Sequence, residues 1–191
     1  FREALDISEQ LHYLKGSALA LGGYGQAYWI KRDLGSAVAS FSEALDKYRR
    51  MGSRKGEVYI LSKLGEVYTR QEKYEQAAEI LQKAIEESEK INYLKVRIKA
   101  RIYRAWLYVG QESFEDAERD FKTALKLAEE KGYKKGILQA AYGLGMMHKS
   151  RGKAKEAKRF LEKAHQIARE IAIPRYQARI EHLLSDLQSP S

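Results

Sequence analysis

Apolar positions along the chain recur with a period that predicts pairs of amphipathic helices. An alanine returns every 40 residues, at Ala37, Ala77, Ala117 and Ala157. Four residues after each alanine comes a Phe or Leu, and twelve residues before each one comes a Gly or Ala. Spacings of three and four place side chains on one face of a helix. The pattern therefore predicts an all-α chain built from a helix-pair repeat.

The repeat sets the expected helix bounds. First helices are predicted near 15–31, 54–71, 94–111 and 134–151, and second helices near 34–51, 74–91, 114–131 and 154–172. Full repeats then cover 15–52, 54–92, 94–132 and 134–172. A capping helix is expected over 174–188, with Pro174 at its start. Residues 1–12 match the second helix of a repeat, so we expect residues 1–191 to be a single domain that is a piece of a longer protein.

Residues between the helices favour sharp turns. Gly52, Asn92 and Gly132 occupy equivalent positions and tolerate left-handed backbone, so they are predicted to end second helices. Ser113 and Asp116 have the spacing of a capping box, which predicts the start of a helix after Ser113.

Composition narrows the class of protein. The chain of 191 residues has a formal net charge of +9 and no cysteine, which excludes disulfides and thiolate metal sites. Its longest apolar run is far too short to cross a membrane, and no signal peptide is evident. The expectation is a cytoplasmic protein.

The segment Leu64-Gly65-Glu66-Val67-Tyr68, followed by Ala77, Leu81 and Ala84, resembles the tetratricopeptide repeat (TPR). The resemblance covers nearly the whole chain and implies a right-handed α-solenoid of stacked antiparallel helix pairs. Two features depart from the usual pattern. The period is 40 residues rather than the usual length, about 34, and the proline that closes the second helix is replaced by Arg49, Glu89, Glu129 and Arg169.

This long-helix form is similar to the sensor or docking arms of signal-transducing ATPase regulators, to Gram-positive peptide-pheromone regulators and to animal spindle-orientation adaptors. The resemblance implies a scaffold or sensor module that binds a protein or peptide in a concave groove, as part of a larger regulatory protein. It places the groove on the first helices. The expected groove residues are Leu19, Gln26, Trp29, Tyr59, Glu66, Lys99, Ile102, Trp106, Gln139, Tyr142, Met146 and Lys149.

Both tryptophans of the chain fall in this set, which favours an apolar, aromatic groove. The alternative is that the two rings pack against the next repeat. The Lys and Asn residues with which chaperone-binding relatives hold a C-terminal carboxylate are absent from the matching positions, which disfavours a co-chaperone.

The sequence leaves two other classes of ligand open, a small-molecule effector and nucleic acid. Aromatic rings beside Gln26 and Gln139 could stack on a small-molecule effector. Nucleic acid could bind three basic clusters, at 47–55, 95–104 and 149–159, although a solvated Lys/Arg surface explains them more simply. Arg101 and Arg104 replace apolar residues, so their charged ends are expected to meet Glu79, Glu86 or Glu89. Self-association through residues 1–12 is a further alternative.

Catalytic patterns are missing from the sequence. The histidines His12, His148, His165 and His182 lie in different helices without metal-ligand spacing, and no phosphate-binding glycine loop occurs. His148 stands where other repeats have a tyrosine, which predicts a packed structural residue. We therefore expect a protein that is not an enzyme and has no cofactor and no metal site.

Overall fold

The computed structural model describes residues 1–187, apart from the side chain of Glu9, and these residues form ten α-helices and no strand. The helices are α1 (Arg2–Gln10), α2 (Leu14–Ile30), α3 (Leu34–Arg50), α4 (Arg54–Arg70), α5 (Tyr74–Lys90), α6 (Leu94–Gly110), α7 (Phe114–Glu130), α8 (Lys134–Ser150), α9 (Ala154–Glu170) and α10 (Pro174–Asp186). These bounds lie within two residues of those predicted, except that residue 188 of the expected capping helix is outside the described residues.

The turns between helices repeat one geometry. A residue with positive φ stands every 20 residues, at His12, Arg32, Gly52, Glu72, Asn92, Glu112, Gly132, Gly152 and Ala172. At one such turn the Gly52 amide donates to the Arg49 carbonyl at 2.9 Å and the Ser53 amide donates to the Tyr48 carbonyl at 2.9 Å. This pair of bonds is a Schellman motif, which satisfies carbonyls at the helix end.

The predicted left-handed residues Gly52, Asn92 and Gly132 are thus confirmed. The sequence did not reveal that Glu72 and Glu112 adopt the same left-handed conformation, because glutamate does not favour it. The same turn hydrogen bonds hold them there, for example from the Lys73 amide to the Tyr68 carbonyl at 3.0 Å.

The helix start at Ser113 differs from the predicted capping box. The helix begins after Ser113 as expected, but the Ser113 hydroxyl donates to the Asp116 carboxylate at 2.8 Å instead of accepting from a backbone amide. A side-chain cap does form at α3, where Asp33 Oδ1 accepts from the Ser36 amide at 3.1 Å.

The chain folds into two compact units, and the boundary between them falls inside α6. Unit 1 comprises residues 1–104, and unit 2 comprises the rest of the chain. In unit 1, α2 packs on α3, α3 on α4, and α4 on α5; in unit 2, α7 packs on α8, α8 on α9, and α9 on α10. The prediction of a single domain stays a prediction.

Small residues allow the helices of a pair to approach closely. A methyl group added at Gly25 would lie 2.6 Å from the Phe41 ring, and one added at Gly145 would lie 2.7 Å from Leu161 Cγ. Phe41 and Leu161 are buried, as are the alanines of the repeat, Ala37, Ala77, Ala117 and Ala157. The repeating positions therefore form the core, and the protein is an all-α helical-repeat solenoid.

The last helix, α10, has an apolar face turned towards the preceding helix. Ile180 of α10 is fully buried, and Leu183, Leu184 and Leu187 are partly buried, so α10 packs against α9. No helix within residues 1–187 combines the length and the apolar character needed to cross a lipid bilayer.

Candidate functional site

The predicted groove residues all lie on first helices, at positions that we call the inner register: a spacing of three, then four, then three residues. In unit 1 they are Leu19, Gln26 and Trp29 on α2, Tyr59 and Glu66 on α4, and Lys99 and Ile102 on α6. Leu19 is exposed and Ile102 is buried, whereas the other five are partly buried. Ile102 thus offers a ligand almost no surface, and the remaining residues are accessible.

Two cations of α4 lie over the Trp29 ring. The Arg70 guanidinium is 5.0 Å from the centre of the indole and the Lys63 ammonium is 5.9 Å from it. Such cation–π contacts stabilise by about 0.5–1 kcal/mol at exposed sites. The indole Nε1 is buried and has no hydrogen-bond partner among the described residues. The ring thus contacts side chains of the next repeat and remains partly exposed.

Lys63 connects three first helices of unit 1. It is buried on α4, and its ammonium donates to Glu66 Oε2 at 2.9 Å and to the Tyr103 hydroxyl on α6 at 3.3 Å. A buried charge needs such partners because it has lost its hydration. Sequence reasoning missed Lys63, although a lysine where the first and last repeats have Gly23 and Gly143 was a usable signal.

In unit 2 the predicted residues are Trp106 on α6 and Gln139, Tyr142, Met146 and Lys149 on α8. The Trp106 ring meets Phe121 edge-on, with 5.3 Å between ring centres. Tyr142 is buried, and the other residues of this set are partly exposed.

Tyr142 packs against α10. Its ring meets Tyr176 edge-on at 5.5 Å, and the Arg179 guanidinium lies 5.6 Å from its centre. Burial raises the pKa of the Tyr142 hydroxyl, and neither this hydroxyl nor Gln139 Oε1 has a hydrogen-bond partner among the described residues. Each unpartnered buried polar atom costs about 1–3 kcal/mol.

Helix α10 also reaches Lys149, another predicted groove residue. The Lys149 ammonium donates to Asp186 Oδ2 at 2.7 Å, and this bond holds the pKa of Asp186 below its usual value. Sequence reasoning treated α10 only as a cap and missed Arg179 and Asp186. Counting 40 residues on from Gln139 and Met146 would have found both.

Many cations of the basic clusters are paired with acids. Arg101 lies 3.6 Å from Glu89, which confirms one of the three predicted partners, and Arg104 bonds the Gln82 side chain. In the other two clusters, Arg54 bonds Glu87 at 2.7 Å and several more ion pairs form, among them Arg49–Glu57, Arg151–Glu115 and Lys158–Glu162. Much of the positive charge is thus compensated locally.

His148 is packed in the core, as its position in the repeat predicted. It is 3% exposed, and its ring stacks on Phe160 with 5.6 Å between centres. Burial lowers the pKa of His148, and the Glu118 carboxylate at 3.9 Å only partly offsets that effect. Nδ1 has no hydrogen-bond partner in the described part of the chain.

Among the described side chains, no three His, Asp or Glu residues lie close enough together to hold a metal ion. The expectation that the protein is not an enzyme remains a prediction.

Helix pairs with inner-register side chains define a TPR-type helical-repeat protein. More narrowly, the chain belongs to the family of the MalT-like TPR region, whose model matches residues 2–184. This confirms the family resemblance read from the repeat. No curated protein sequence matches the chain.

Solved structures with the same fold share little sequence with the chain. BtubC (BKLC) from P. vanneervenii superposes with a TM-score of 0.80 at 16% identity, over 97% of this chain and 79% of that one. Aspartyl phosphate phosphatase F from Bacillus subtilis gives 0.80 at 18% identity, over 98% of this chain and 54% of that one.

A third structure holds a peptide. The Rap conjugation gene regulator of plasmid pLS20, in complex with the Phr* peptide, gives a TM-score of 0.71 at 18% identity. The match covers 96% of this chain and 62% of the regulator, so the chain spans less than two thirds of both this protein and the phosphatase. At such identities the likeness establishes the fold.

Proposed function

We propose that this chain is a protein- or peptide-binding module of a larger regulatory protein, and that the inner register of its first helices is the binding surface. The observation that carries the proposal is a set of partly exposed aromatic and polar side chains on that surface, Trp29 and Tyr59 in unit 1 and Trp106 and Gln139 in unit 2.

The chemistry of the surface suits a polypeptide ligand. A peptide backbone offers carbonyls and amides that complement the partly exposed amide side chains of Gln26 and Gln139, and its side chains can cover aromatic rings. In unit 1, Trp29, Tyr59 and Gln26 are partly exposed, and in unit 2 Trp106, Gln139 and Met146 are partly exposed. Each unit therefore carries its own candidate surface.

The comparisons support this class of function. The Rap regulator of similar fold was solved with a bound peptide. The MalT-like TPR family matches nearly the whole chain. Neither observation favours a small-molecule effector or nucleic acid as the ligand, and the paired state of the basic clusters offers no support for nucleic acid.

Peptide selection tests the proposal. Decapeptides would be selected from a random library on the 191-residue chain, and their affinities measured by fluorescence anisotropy. Trp29→Ala should weaken peptides that bind unit 1 by about 30-fold, the equivalent of about 2 kcal/mol for an aromatic anchor. Gln139→Ala should weaken those that bind unit 2.

The matched control is Glu75→Ala, which changes an exposed residue of α5 outside the inner register. Thermal unfolding of each variant, followed by circular dichroism, separates lost binding from lost folding. Failure to select any peptide, or selected peptides that bind all variants equally, would refute the proposal.

A further inference from the structure

Helix α10 extends the inner register of unit 2 beyond the last full pair. Arg179, His182 and Asp186 stand 40 residues after Gln139, Tyr142 and Met146. The two helices bring these positions together, since Arg179 lies over the Tyr142 ring and Lys149 bonds Asp186 at 2.7 Å. A helix first understood as a cap therefore contributes side chains to the same surface as α8.

The cations of this surface differ in how they are compensated. Asp186 bonds Lys149 with one oxygen, and its other oxygen lies 3.4 Å from His182 Nδ1. Arg179 is exposed and forms no ion pair with any of the described carboxylates. Of the cations on the surface, Arg179 therefore has its charge available for a ligand.

The surroundings of Arg179 prepare it for a planar anion. Its guanidinium lies 5.6 Å from the centre of the Tyr142 ring, and Tyr142 is itself packed edge-on against Tyr176. An aromatic floor of this kind restricts the side chain while leaving N–H groups at the guanidinium edge free. Two parallel N–H groups match the two oxygens of a carboxylate.

We infer that Arg179 binds a carboxylate group of the ligand, in a subsite formed by Arg179, Tyr142 and Gln139. This inference rests on the proposed function and names the ligand class for unit 2: a peptide with an acidic side chain or a free C-terminal carboxylate. Arg179 binds the carboxylate through its guanidinium edge. The Tyr142 ring supports the guanidinium, and the partly exposed Gln139 side chain borders it.

The subsite differs from the site with which chaperone-binding relatives hold a C-terminal carboxylate. The Lys and Asn residues of that site are absent from the matching positions of the four helix pairs. Its cation comes from α10, and its neighbouring lysine, Lys149, is already bonded to Asp186. The charge offered to the ligand is therefore a single guanidinium, which selects a carboxylate by geometry as well as by charge.

Nuclear magnetic resonance of the 191-residue chain with ¹⁵N-labelled arginine tests the inference. Three probes are titrated: N-acetylglutamate α-amide for a side-chain carboxylate, N-acetylleucine for a C-terminal carboxylate, and neutral N-acetylglutamine amide. At least one acidic probe should shift the Arg179 Nε–H resonance and bind at least about tenfold more tightly than the neutral probe. Which of the two acidic probes binds more tightly identifies the source of the carboxylate.

Variants on α10 supply the controls. Arg179→Met should abolish the difference between acidic and neutral probes, and Arg179→Lys should reduce it because a lysine keeps the charge without the fork. Arg175→Met removes an exposed cation one turn away, outside the inner register, and should leave binding unchanged.

Two results would overturn the inference: no shift at Arg179, or equal losses in Arg179→Met and Arg175→Met. The decapeptides selected above separate this outcome from a failure of the proposed function. Neutral peptides that bind unit 2 and are unaffected by Arg179→Met would refute the carboxylate subsite but not the proposed peptide-binding function. Absence of any peptide binder would count against the module itself.

Discussion

Close helix packing in unit 2 depends on the missing side chain of Gly145. A methyl group added there would lie 2.7 Å from Leu161 Cγ and 3.2 Å from the Leu161 amide nitrogen. Carbon atoms in ordinary contact are about 3.5–4.0 Å apart, so the methyl would be about 1 Å too close. Leu161 is fully buried, and one of the crowded atoms belongs to the backbone, so rotation of the side chain alone cannot relieve the contact.

Gly145→Ala should therefore destabilise the protein although alanine favours helices. Because a backbone atom is crowded, the overpacking should cost the upper part of the usual range, about 2–3 kcal/mol, and the better helix propensity of alanine offsets about 1 kcal/mol of that. The net loss should be about 1–2 kcal/mol, or about 2–8 °C in Tm. Urea unfolding followed by circular dichroism measures the loss directly.

Two controls make the reasoning refutable. Gly22 is also helical, but a methyl there would lie 3.6 Å from Ile60 Cδ1, an ordinary contact, so Gly22→Ala should stabilise by up to about 1 kcal/mol. Leu161→Ala should cost about 2–5 kcal/mol, and combining it with Gly145→Ala should lose less than the sum because the new methyl fills vacated space. A stable Gly145→Ala variant, or additive losses, would refute the argument.

Three further changes have expected results measurable by urea unfolding. Burial lowers the pKa of His148, so the unfolded chain binds a proton more readily than the folded chain. The free energy of unfolding should therefore fall as the pH drops from about 7 through the folded pKa. His148→Tyr should remove the part of this pH dependence that His148 causes. Lys63→Met strands the Glu66 carboxylate and should cost about 1–3 kcal/mol, part of which Glu66→Gln should restore. Gly52→Ala, at a φ of 63° with open space around it, should cost about 1 kcal/mol.

Each of these expectations can fail in a recognisable way. Parallel pH profiles for the wild type and His148→Tyr would show that His148 does not couple folding to protons. A Lys63→Met variant as stable as the wild type would mean that the ion pair with Glu66 contributes nothing. An unchanged Gly52→Ala variant would mean that the left-handed turn is not strained by a side chain.

Most of the fold could be predicted because its determinants are local and repeated. The 40-residue spacing of Ala37 and its equivalents gave the helix pairs, and Gly52 and Gly132 marked turns that the structure confirms. Glu72 and Glu112 escaped prediction since their left-handed backbone is set by the turn's hydrogen bonds rather than by residue type.

The candidate site was predictable only in part. The spacing along a first helix identified Trp29 and Gln139, but accessibility depends on which neighbouring helix covers a residue, and Ile102 proved to be buried.

The sequence alone determined that this protein is a stack of paired helices with a defined set of inner-register positions. The helical period and the small residues where helices approach closely are both visible in the local order of residues. Only the tertiary structure decided which cations are compensated. The Lys149 ammonium bonds Asp186 of α10, whereas Arg179 of α10 rests on the Tyr142 ring without a carboxylate, because contacts between α8 and α10, which α9 separates in the chain, depend on how the helices pack.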